Sequence, residues 1–305
     1  MNQSQANEYI VRINKVCDHI DRHLTEELTL SELARVAGFS EFHFHRIFAA
    51  MTGETLFSFI QRLRLESAAT RLCVHPAVAI TQLALDCGFS SSAVFCRAFK
   101  KRFGCAPSVF RDRNQCQTDS SLDQLLRNSG KEKSGHGGYN GKKNRRFAMK
   151  PVVTIEKMDR MRVAYIRYMG PYAGDSQLFE GLFGRLCAWA GPRGVDMSTT
   201  YIIYHDDPAV TEEQKLRLDV CVPIGEDAQV AGEVCETVIE GGTYAVGRFV
   251  LGTDEYGQAW AYMYSEWLPG SGYRPANAAA FERYSGGCGE DGKMPVDICV
   301  PVEVI

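Results

Sequence analysis

Glu282 is the residue of this 305-residue chain whose type and setting point most directly to chemistry. It lies in AAAFERY, whose alternation reads as a strand with Glu282 and Tyr284 on one face, where a matching earlier strand carries Ile202 and Tyr204. A carboxylate therefore takes a slot that is apolar in its counterpart. On an edge strand it would be solvated or paired with an arginine; walled by aromatic rings it would attract a lipophilic cation through charge and cation–π contact. The candidate rings are Tyr168, Tyr204, Trp260, Tyr264, Trp267 and Tyr284, each of which would also serve as ordinary core. Alternatively, Glu282 and a neighbouring tyrosine would act as base and acid in hydrolysis of a small molecule. That reading lacks a nucleophile elbow, a phosphate loop or metal-ligand spacing, so no catalytic residue, metal ligand or cofactor is assigned and no enzyme is expected. The eleven cysteines include no CxxC and read as reduced, mostly buried thiols. A second alternative is a redox response through Cys96, Cys105 and Cys116.

The elements that position such residues fall into two duplicated regions. Near the N-terminus, Ile10, Ile13, Val16, Cys17, Ile20 and Leu24 recur at helical spacing. Thr29 and Glu32 predict a capping box for the short helix LSELARVA, Gly38 a sharp turn, and Ser40 the cap of a second helix, EFHFHRIFAAMTG. Fifty residues on, LARVAGFS returns as LALDCGFS and RIFAAMTG as RAFKKRFG. Each copy reads as a helix-turn-helix whose second helix, locked by Phe48 or Phe99, would offer its exposed positions to bases in a major groove. The stretch 55–74 between the copies contains no Gly or Pro and predicts a stiff helix roughly 30 Å long. That is close to one turn of B-DNA, about 34 Å, so both second helices would reach successive grooves of one duplex.

LSELARVAGFSEFHFHRIF, GFSSSAVFCRAFKKRFG and APSVFR resemble the AraC/XylS-type DNA-binding domain over about a third of the chain. The resemblance implies that Phe42, His45 and Arg46 face bases from the first recognition helix and Ser92, Ala93, Val94, Cys96 and Arg97 from the second. Ala93, Val94 and Cys96 depart from the family's amides and hydroxyls, which leaves poor hydrogen-bond readout there. Arg46 and Arg97 would either grip a guanine edge or contact phosphate. Lys100, Lys101 and Arg102 read as phosphate neighbours or a solvated face.

Downstream, LDVCVPI (218–224) and VDICVPV (296–302) are near copies, and Trp189 and Trp267 keep the same separation of 78 residues. Each half reads strand, strand, helix, strand, strand, and a pseudo-twofold would leave a ligand groove between the halves. VAYIRYMGPY, AAFERYSG and DICVPV make this region similar to GyrI-like effector-binding domains, and the order of the two regions is that of bacterial Rob-type regulators. The resemblance implies that Glu282 is the ligand-facing acid.

Charge divides the chain in the same places: +3 over 1–115 (14 basic, 11 acidic residues), +5 over 116–150 (8 and 3) and −11 over 151–305 (12 and 23). A basic region suits a polyanion and an acidic one a cationic ligand. The expected architecture is multidomain. An all-α, homeodomain-like double helix-turn-helix (1–115) precedes a flexible basic linker (116–150) with Lys142, Lys143, Arg145 and Arg146. An α+β domain of duplicated β-β-α-β-β units (151–305) follows. Apolar stretches fall short of the ~20 residues of a membrane span and the start lacks a signal peptide's apolar core. The expected function is ligand-responsive transcription regulation, with double-stranded DNA, a small-molecule effector and RNA polymerase as partners, no membrane, and a cytoplasmic, nucleoid-associated location.

Overall fold

The computed structural model describes residues 3–74, 77–115, 151–208, 210–276, 278–286 and 292–305, and the linker expected over 116–150, with Cys116, lies outside them. The chain divides into two compact units, Met1–Gln117 with Asp227–Thr237, and Thr118–Glu226 with Val238–Ile305. The segment Asp227–Thr237 thus joins the first unit, whereas the sequence assigns it to the second.

The first unit contains α1 (Gln3–Arg22), α2 (Leu30–Ala37), α3 (Glu41–Thr52), α4 (Leu56–Val74), α5 (Ile80–Asp86), α6 (Ser92–Phe103) and α7 (Pro107–Gln115). Thr29 Oγ1 accepts the Glu32 amide at 3.2 Å, but the Glu32 carboxylate turns to His19 Nε2 (3.0 Å), so only half of the predicted capping box forms. Ser40 likewise makes no side-chain cap; its carbonyl accepts the amides of His43 and Phe44. In the second copy Ser91 does cap, accepting from the Val94 amide at 3.3 Å.

Phe44, Phe48 and Phe59 meet edge to face in the core of the first helix pair. Phe95, Phe99, Phe103 and Phe110 form the corresponding cluster of edge-on and tilted rings in the second pair, which ties down α7. Helix α4 buries residues most of the way round, from Phe59 and Leu63 to Leu65 and Leu72, because helices pack on several of its sides.

The repeat reaches further than its sequence motif. Arg12 on α1 donates to the Gly38 carbonyl at 2.7 Å, and Arg64 on α4 donates to the Gly88 carbonyl at 2.7 Å. Each turn glycine has positive φ (66° and 78°), and each turn is held by an arginine from the helix that precedes its pair. The repeating unit is therefore three helices, α1–α3 and α4–α6.

The second unit runs β1 (Val152–Met158), β2 (Met161–Met169), α8 (Ser176–Ala190), β3 (Thr199–Tyr204), β4 (Arg217–Pro223), the end of β5 (Cys235–Ile239), which enters it at Val238, and β6 (Gly242–Leu251). It continues with α9 (Tyr256–Tyr262), which runs through a π-helical turn, Met263–Trp267, and then β7 (Tyr273–Pro275), β8 (Ala280–Ser285) and β9 (Met294–Val304). The sheet order is β1-β6-β9-β8-β3-β4-β2-β5, with β7 pairing the end of β9. The halves thus exchange their first strands: β1 lies on β6 of the second half and β5 beside β2 of the first.

Ile203 pairs with Phe281, 78 positions on, so the local twofold passes between β3 and β8. By that symmetry the counterpart of Glu282 is Tyr204, and Ile202 is its cross-strand neighbour. This corrects the match between strands made from sequence. β8 is flanked by β9 and β3, so Glu282 is not on an edge strand.

Candidate nucleic-acid interface and small-molecule site

On α3, Phe42, His45 and Arg46 are all exposed, and Phe42, alone a core-like residue, is 65% exposed. The reason is helical phase: Phe44 and Phe48 take the inward stripe and leave Phe42 outside it. The Arg46 guanidinium covers the Phe42 ring at 5.2 Å, and His43, which the sequence reading passed over, meets that ring edge-on. His45 Nδ1 lies 3.3 Å from the Glu41 carbonyl. On α6, Ala93, Val94 and Arg97 are exposed and Ser92 and Cys96 half-buried. Among the described residues no ion pair engages Arg46 or Arg97, so both forks remain free to take up a base edge or a phosphate. Lys100 and Lys101 are exposed. Arg102 is not part of that solvated face, because Nη2 donates to Glu66 Oε1 at 2.7 Å.

In the second unit the Glu282 side chain is closed off from solvent, at 1% exposure. Tyr204 Oη and Tyr284 Oη each donate to Oε2 at 2.8 Å, and Trp260 Nε1 donates to Oε1 at 2.7 Å. Among the described residues no ion pair reaches it. Burial pushes the Glu282 carboxyl above its ordinary range, and the three donors pull only partly against that. Burial, reinforced by the Glu282 charge, drives the Tyr204 and Tyr284 hydroxyls well upward and keeps them protonated as donors.

The rings form a wall around the carboxylate. Tyr204 meets Trp260 edge-on at 5.6 Å and the tilted ring of Tyr172 at 5.6 Å, Trp260 stacks on Tyr264 at 6.1 Å, and Phe183 of α8 abuts Tyr284. Tyr264 is 40% exposed and forms the outer edge of this wall. Of the rings singled out from sequence, Tyr204, Trp260, Tyr264 and Tyr284 therefore lie together. Tyr168 instead donates to the Pro171 carbonyl, and Trp267 stacks on Tyr273. Tyr172 and Phe183 were missed because a loop position and one helical aromatic carry no periodic signal.

An uncompensated carboxylate enclosed by aromatic side chains suits a large, weakly hydrated cation, whose charge the rings and Glu282 would share. The profile described as GyrI-like small molecule binding domain matches residues 151–303, half of the chain. The protein belongs to the GyrI-like family. A helix-turn-helix domain profile matches residues 33–113 of this GyrI-like protein, and that domain is of the AraC type. A DNA gyrase inhibitor of Serratia proteamaculans is 29% identical over 150 residues, 48% of this chain and 94% of that protein. An uncharacterized HTH-type transcriptional regulator of Staphylococcus aureus is 39% identical over 110 residues, 36% of this chain and only 14% of that regulator. The solved DNA-binding domain of the transcriptional factor AdpA with a target DNA is 25% identical, covering 34% of this chain and 94% of that one, with TM-score 0.33. The GyrI-like protein is an AraC-type DNA-binding regulator with a small-molecule-binding domain.

Proposed function

We propose that the GyrI-like protein regulates transcription by reading one duplex with both helix pairs and responding to a lipophilic cation that binds over Glu282. The observation that carries the ligand reading is the buried carboxylate whose hydrogen-bond partners are all neutral donors. Such a group keeps its charge at a cost, and a bound cation offsets that cost. Base contact by Phe42, His45, Arg46, Ser92, Ala93, Val94, Cys96 and Arg97 is supported by their shared position on the second helix of each pair. In this reading RNA polymerase is the partner that receives the signal, the site binds without turnover, and the protein works in the cytoplasm on the nucleoid.

The test selects duplexes from a randomised pool with the full chain and maps them with and without tetraphenylphosphonium. Arg46→Ala should weaken binding to a selected duplex by about 1–3 kcal/mol and leave binding to random DNA nearly unchanged. An equal loss on both would show that Arg46 grips phosphate, and failure to select any duplex would overturn the regulator reading. Turnover of a reactive ester that disappears in Glu282→Gln would assign hydrolysis to the site instead.

A further inference from the structure

A chain of alternating charges runs through the first unit. Arg62 donates from Nε and Nη2 to Glu54 Oε1 at 2.9 and 2.7 Å, and from Nη1 to Glu66 Oε2 at 3.0 Å. The other oxygen of Glu66 accepts from Arg102 Nη2 at 2.7 Å. The side chains are 10, 3, 7 and 20% exposed in the order Glu54, Arg62, Glu66, Arg102. Glu54 directly follows the cap of α3, and Thr52 Oγ1 anchors it, 3.0 Å from the Glu54 carbonyl and 2.8 Å from that of Phe48. Arg62 and Glu66 lie on α4, and Arg102 is in the last turn of α6. The network therefore starts at the end of one reading helix and finishes at the end of the other.

We propose that Glu54, Arg62, Glu66 and Arg102 are positioning residues that hold the two reading helices at one fixed angle, and so decide which spacing between half-sites the protein accepts. The inference rests on the reading that both helix pairs contact DNA. Stability alone is a poor reason for the network, because two buried and two half-buried charges give up hydration that apolar side chains of similar size would not need. Orientation is a better one. Planar guanidinium–carboxylate pairs lose energy steeply when turned, whereas apolar surfaces tolerate sliding. Arg62 is further fixed over the Phe59 ring at 5.1 Å, and Phe59 meets Phe48 of α3, so a rotation of either reading helix disturbs the same pairs.

One base pair inserted between half-sites turns the second groove by about a tenth of a turn and moves it about 3.4 Å. A stiff pair of heads must reject that duplex and a loosened pair must accept it. The experiment uses the full chain, a duplex selected by the wild type, and the same duplex with one inserted base pair. Thermal midpoints are measured alongside. Wild type should bind the inserted duplex at least about tenfold more weakly. Arg102→Met, which keeps the apolar stem, should lose affinity for the selected duplex but bind both within about twofold, and Arg102→Lys should restore part of the discrimination. If Arg102→Met does not stay folded, Glu66→Gln must show the same collapse. Discrimination unchanged from wild type would overturn the proposal, as would an equal loss on both duplexes, the mark of a phosphate contact. Failure of the wild type to select any duplex would instead remove the DNA reading and this inference with it.

Discussion

At Glu282, three neutral donors set the terms on which the proposed cation would bind. Because burial raises the Glu282 carboxyl in the folded protein, its protonated form is favoured more there than in the unfolded chain. The stability that this contributes is present below the unfolded value, about 4.3, and is lost as pH rises through the higher folded value. A cation acts in the opposite direction by favouring the ionised form. Tetraphenylphosphonium affinity should therefore fall as pH is lowered toward the raised Glu282 value, approaching tenfold per pH unit below it. Glu282→Gln should bind at least about tenfold more weakly at pH 8 and show a flat profile. Calorimetric titrations from pH 8 to 4, which reach below the ordinary carboxyl value, would read this, and a flat wild-type profile would remove Glu282 from the ligand site. Asp219 shows the contrasting case: it is fully buried, but Arg167 donates to both its oxygens and His205 lies 2.7 Å away, which hold its carboxyl well below the usual range. Of these two buried acids, the one that no cation reaches among the described residues is the one for which an external cation is proposed.

Among the elements, the two turns test how closely backbone and side chain are coupled. Gly38 and Gly53 both have positive φ, but a Cβ on Gly38 would press into the Arg12 guanidinium, whereas one on Gly53 would meet nothing nearby. Gly53→Ala should cost about 1 kcal/mol, the left-handed penalty alone, and Gly38→Ala distinctly more, because it also dislodges the arginine that holds the turn. Chemical denaturation of both variants measures the difference, and equal losses would show that Arg12 contributes little. The repeated helix pairs were legible in sequence because each is written twice in local signals: an apolar stripe, a glycine stop and a phenylalanine lock. The Arg12 and Arg64 staples were not, because they act on carbonyl oxygens, which every residue has. The exchanged strands β1 and β5 stayed hidden for a similar reason: alternation identifies a strand and its faces, but not its neighbours. The face of Glu282 was readable, and its true counterpart Tyr204 follows from carrying the 78-residue repeat through to β8, an offset with which the β3·β8 register agrees.

In the whole molecule, charge separates the two tasks, with a net +3 over residues 1–115 and −11 over 151–305. Attraction to DNA must then come from local basic groups rather than from overall charge, and it should weaken steeply with salt, by a logarithmic slope of about −0.9 for each phosphate neutralised. The salt term and the ligand term can be separated, because coupling between two binding sites is reciprocal. If tetraphenylphosphonium changes the affinity for a selected duplex by some factor, saturating duplex must change the affinity for the cation by the same factor, at any fixed salt concentration. A coupling of typical size would make that factor about 5 to 150. Measuring both sides in one buffer, with Glu282→Gln as the control that should abolish the effect in each direction, distinguishes a linked regulator from two independent binding activities on one chain. Unequal factors would mean that the two titrations report different processes. A factor of one in both would show that the cation and the duplex bind independently, and any response to the cation would then have to act through a step other than DNA affinity.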